Sequence, residues 1–113
     1  MAVTTSITHN QVRNTAVGRL TVTGTPVAFP VTVGFQPRYV RVLNVSERAQ
    51  LETYEGMTAA HALKTVAAGT RTKITTLGIT LGSTGFLIGL DTDLLPTHGV
   101  SSNENIIDFI AEG

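Results

Sequence analysis

The residues whose side chains could do chemistry are few. The three histidines, His9, His61 and His98, are far apart in sequence and none stands in the close spacing that a zinc site uses. The chain has no cysteine, which removes thiolate metal sites, thiol redox chemistry and a disulfide scaffold. Asp91-Thr92-Asp93 opens like a calcium loop, but the later Asx, the central glycine and the closing glutamate are missing. It reads equally as a polar turn after a core strand. Glu52 and Glu55 are the nearest thing to an acid–base pair, yet a spacing of three on a strand turns them to opposite faces. Gly82-Ser83-Thr84-Gly85 has no Walker lysine and reads as a hairpin turn. No serine sits in a nucleophile elbow. Asn44-Val45-Ser46 matches a glycosylation sequon, which we read as chance. These residues point away from an enzyme, and no cofactor is expected.

The charges argue about partners. The formal net charge is zero, which speaks against nucleic acid as a main partner. Residues 1–46 carry Arg13, Arg19, Arg38 and Arg41 and no acid, whereas residues 74–113 carry Asp91, Asp93, Glu104, Asp108 and Glu112 and no base. Early and late strands could pair within one sandwich and mix these charges. Alternatively, a positive face could meet a negative face on a neighbouring subunit. The apolar runs are too short to span a membrane, and residues 1–10 lack the basic and apolar regions of a signal peptide.

The elements that would position these residues are strands. Among 113 residues, 19 are threonine and 12 valine, β-branched types that suit a pleated, half-buried surface. Residues 1–17 are polar and loosely patterned, an arm or a first edge strand; we take 1–17 as an extended N-terminal arm and 18–113 as one domain. Leu20 and Val22 alternate with polar residues. Val27, Phe29, Val31, Val33 and Phe35 keep strict period two, and Pro30 between them marks an edge or a bulge. Arg38 to Val45 reads as the most buried strand, with Val40 and Val42 on one face and Tyr39, Arg41, Leu43 and Val45 on the other. Ser46-Glu47-Arg48 is a turn before a strand over 50–55. Residues 56–69 suggest an irregular loop through His61, then a short strand from Ala62 to Ala67. Short strands at 71–76, 78–82, 86–90 and 106–111 complete an all-β chain. The expected fold is an antiparallel β-sandwich, or a jelly-roll-like one, of about eight short strands.

One stretch carries a family pattern. Gly34 to Asn44 gives a "GF-x-P-x-YVRV-N" strand, and Tyr54 to Met57 gives an aromatic followed by "EGM". "ALKT-x-AAGTRT" follows over Ala62 to Thr72, "GIT" over Gly78 to Thr80, and an apolar strand over Phe86 to Leu90. Together these resemble small tailed-bacteriophage virion proteins, some of them capsid decoration, or cement, proteins. The resemblance implies a structural protein on the capsid exterior, made in the host cytoplasm, binding the major capsid protein as a homotrimer. From the charge and the short apolar runs, no nucleic-acid or membrane partner is expected. Residues 1–17 and those after Leu90 lie outside the resemblance. For contacts with the capsid or between subunits, we single out Val12, Arg13 and Val17 in the arm, and Arg38, Arg41 and Arg48. Each of these arginines could equally be a solvated strand residue. The alternative is a jelly-roll carbohydrate- or receptor-binding module of a phage fibre. Its sugar platform would have to come from Tyr39 or Tyr54, since there is no tryptophan.

Overall fold

The alternation of β-branched and polar residues becomes ten strands in a computed structural model that describes residues 2–10, 14–23, 26–96 and 104–113. In chain order they are β1 (Ala2–Asn10), β2 (Thr15–Thr23), β3 (Phe29–Thr32), β4 (Tyr39–Asn44) and β5 (Ala49–Tyr54). Then come β6 (Ala62–Thr65), β7 (Arg71–Ile74), β8 (Ile79–Leu81), β9 (Gly85–Ile88) and β10 (Glu104–Glu112). Among the described residues there is no helix. Seven strands form one sheet in the order β1-β2-β10-β4-β5-β6-β7, and three form a second, β3-β9-β8. All pairings are antiparallel, and the two sheets pack as a β-sandwich.

The core lies between the sheets. Leu20, Val22, Val40, Val42, Leu51 and Ile107 come from the large sheet; Phe29, Val31, Phe86 and Ile88 come from the small one. Phe86 and Phe109 link the two, meeting edge to face with ring centroids 5.4 Å apart. Phe109 sits opposite Gly18 in register, where a Cβ on Gly18 would fall 2.8 Å from the ring. The same Cβ would fall 2.6 Å from the Ser6 carbonyl oxygen of β1, so the missing side chain makes room for both the aromatic and the neighbouring strand. Pro30 occupies β3, an outer strand of the small sheet, as its missing N–H requires. The stripe that begins in β3 continues past the ladder: Val33 and Phe35 stay buried, and the amides of Val33 and Gly34 both donate to the Thr84 carbonyl. Val27, by contrast, is exposed.

Residues 2–10 are paired along their whole length with β2, from Ala2 opposite Thr23 to Asn10 opposite Thr15. The segment expected as an extended arm is thus, over these residues, the edge strand β1. Its Val3 and Ile7 alternate inward and pack against the core, which ties the strand down. The division drawn at residue 17 falls inside β2. Residues 56–69 do form a loop through His61 followed by a short strand, β6.

A buried polar network fixes the 91–96 turn beneath the large sheet. The Asn44 amide donates to the Leu94 carbonyl at 2.6 Å and to Asn105 Oδ1 at 3.1 Å, and its oxygen accepts the Glu47 amide. Asn105 in turn donates to the Pro96 carbonyl. Every one of these groups would be costly to bury unpaired. Asn44 is fully buried, so the Asn44-Val45-Ser46 sequon offers no accessible acceptor in the fold.

Candidate functional site

Strand pairing fixes what the outer face of the seven-stranded sheet presents. One row across it runs Thr8, Val17, Ile110, Arg41, Glu52, Leu63 and Lys73. The next runs Ser6, Arg19, Asp108, Leu43, Gln50, Thr65 and Arg71. Ile106 and Val45 lie beyond the second row, and Tyr39 and Tyr54 form a cross-strand pair beyond the first. A sheet face turned to water is normally polar. Here Val17 is 46% exposed, Tyr54 is 49% exposed, and Ile106, Ile110, Leu43 and Leu63 are only half-covered. Shallow grooves run through this surface, one lined by Val17, Arg41, Leu43, Asp108 and Ile110.

The charged groups on this face are mostly matched. Arg19 grips Asp108 with two parallel hydrogen bonds, Nε to Oδ1 at 2.7 Å and Nη2 to Oδ2 at 2.9 Å. That hydrogen bonding holds the Asp108 carboxyl below its ordinary pKa and raises that of Arg19. Glu52 accepts from Tyr39 Oη at 2.8 Å, Gln50 Nε2 at 3.0 Å and Arg71 Nη2 at 3.1 Å. Burial, and then the bond to Glu52, push the Tyr39 phenol above its usual range. Arg41 is exposed and makes no salt bridge among the described residues.

The residues singled out in the sequence fall in different places. Val17 and Arg41 come together, in one row with only Ile110 between them. Arg38 and Arg48 do not join them: they flank opposite ends of β4, about 20 Å apart at strand rise. Arg38 pairs with Glu55 at 3.3 Å, and Arg48 occupies the β4–β5 turn with φ of 57°. Val12 and Arg13 lie outside the described residues. The apolar members Ile106, Ile110 and Leu43 were missed as surface residues. The available signal was that Ile106-Ile107 and Phe109-Ile110 leave β10 apolar on both faces.

The remaining chemical candidates each have an occupied role. Asp91 Oδ2 accepts the amides of Asp93 and Leu94 at 3.1 Å, while Oδ1 accepts from Lys64 Nζ at 3.0 Å. Asp93 binds the same ammonium, so a lysine sits where a calcium loop would place its cation. Burial lowers the Lys64 pKa, but the hydrogen bonds to Asp93 and Asp91 and their charges outweigh it and leave it raised. Glu52 and Glu55 are held by separate arginines and share no site. His98 lies outside the described residues, as does the side chain of His9. Among the described residues no group of histidines and carboxylates is arranged to hold a metal ion. Comparison with protein-family profiles, curated proteins and solved structures yields no match to this chain.

Proposed function

We propose that the protein is a structural component of a tailed-bacteriophage virion, a decoration or cement protein on the capsid exterior. It binds the major capsid protein through the outer face of its seven-stranded sheet. One observation carries this reading: that face exposes Val17, Ile110, Leu43 and Tyr54 around an Arg41 that makes no salt bridge among the described residues, where a solvated sheet would present polar side chains. The resemblance over residues 34–90 supplies the virion context, and its strands β4 to β9 contribute to both sheets. Such a protein needs no cofactor and does no chemistry. It works by modest contacts repeated over a closed shell, which sum to high avidity. The resemblance further implies assembly as a homotrimer after synthesis in the host cytoplasm.

The test is co-sedimentation of the purified chain with heads of its own phage prepared without it. Saturable binding is expected, and the double substitution Val17→Asp/Arg41→Glu should weaken it at least about tenfold, or about 1.4 kcal/mol. A wild-type chain that fails to bind heads, and is absent from intact particles, overturns the reading. The second reading, a glycan-binding fibre module, rests on the Tyr39–Tyr54 pair, since exposed aromatic faces stack on sugar rings. It requires saturable glycan binding that is lost in Tyr54→Ala.

A further inference from the structure

The two edges of the large sheet are built differently. β7 is four residues long and carries Arg71 and Lys73, the short, charged form that discourages further pairing. β1 is nine residues long, AVTTSITHN, with no Asp, Glu, Lys or Arg, no proline and no glycine. Among the described residues no strand lies on its far side. Alternate N–H and C=O groups of β1 face β2, and those between them point outward as an open ladder.

We propose that β1 pairs antiparallel with β1 of a second copy of this chain, across a two-fold axis at Ser6, joining the two large sheets into one. The strand is self-complementary in that register. Ser6 meets Ser6, Thr4 meets Thr8, and Thr5 meets Ile7, using all nine residues and setting no like charges together. Parity also fits. Thr4, Ser6 and Thr8 lie on the outer face and Val3 and Ile7 on the inner. Any pairing whose residue numbers sum to an even value keeps outer face with outer face in both copies. The inner faces then continue as well, and the half-covered Val3 and Ile7 at the margin of the core gain neighbours from the second copy. The contact is isologous, as a two-fold requires. It does not depend on the virion role, and it is compatible with a separate three-fold contact elsewhere on the molecule.

Ser6 is exposed on the outer face, so neither Ser6→Glu nor Ser6→Lys buries a charge, and circular dichroism of each variant checks that the fold is kept. Across the two-fold Ser6→Glu sets two carboxylates against each other, and Ser6→Lys does the same with two ammonium groups. Light scattering across a concentration series should give wild type twice the particle mass of either variant. Mixing the Glu and Lys variants in equal amounts should restore the wild-type mass, because the centre then holds an opposite pair. Wild type and both variants with the same mass would overturn the proposal. So would a mixture that stays at the variants' mass.

Discussion

Lys64 stands opposite Leu51 in register, on the core side of β6, and is nonetheless charged. Its side chain is 15% exposed and that of its partner Asp91 is 9% exposed. Removing one member of so buried a pair strands the other charge, so Lys64→Met should cost about 3–5 kcal/mol in urea unfolding. Adding Asp91→Asn should recover part of that, since asparagine keeps an acceptor for the Asp93 and Leu94 amides while losing the charge. The exposed Arg19–Asp108 pair behaves differently. Its carboxyl titrates below the ordinary value, so the stability it adds is complete above about pH 3.9 and is lost as pH falls through the lower folded value. Wild type should therefore melt above Asp108→Asn at neutral pH, and the gap in Tm should close in acid. The sequence exposed the Asp91-Thr92-Asp93 turn but not its cation. Alternation puts Leu63 and Lys64 on opposite faces without saying which face is the core, and only the pairing of β6 with β5 decides it.

At the scale of elements, the strands with one polar and one apolar side were the most legible. Val40 and Val42 are buried, with Tyr39, Arg41 and Leu43 turned outward, as the alternation of β4 requires. Pro30 located an edge because a missing donor has few places to go. The first seventeen residues were less legible, because β1 is anchored by two apolar side chains, Val3 and Ile7, within a run of polar ones. That has a practical result: deletion of residues 1–17 removes buried Ala16 and cuts β2, so it perturbs folding as well as any arm. The β3–β9 contact is tighter than propensity shows. A Cβ on Gly85 would lie 1.9 Å from the Val31 carbonyl oxygen, on the backbone of the strand it pairs with. Gly85→Ala should cost about 1–3 kcal/mol or more. In hydrogen exchange, the loss of protection should concentrate in β3 and β9 rather than in the large sheet.

For the whole molecule, the sign asymmetry of the chain is matched in part within the sandwich, and Arg41 is left outside that matching among the described residues. The basic early strand β2 lies beside the acidic late strand β10, joined by Arg19 and Asp108, and Lys64 meets Asp91 and Asp93. The candidate surface was legible only in part. Val17 and Arg41 share a row, whereas Arg38 and Arg48 are parted by the length of β4, a distance that spacing in sequence does not reveal. Because Phe109 joins both sheets, Phe109→Ala should lower stability by about 3–5 kcal/mol while leaving one cooperative transition, read by calorimetry. The position of β10 also governs how the molecule is made. It fills the slot between β2 and β4, although the whole of residues 45–103 lies between β4 and β10 in the chain, and more between β2 and β10. While residues 104–112 are still within the ribosomal exit tunnel, the strand that joins β2 to β4 is missing and the large sheet cannot close. Folding is thus timed by the emergence of that segment, and any holdase acting on this protein must guard β2 and β4 until then.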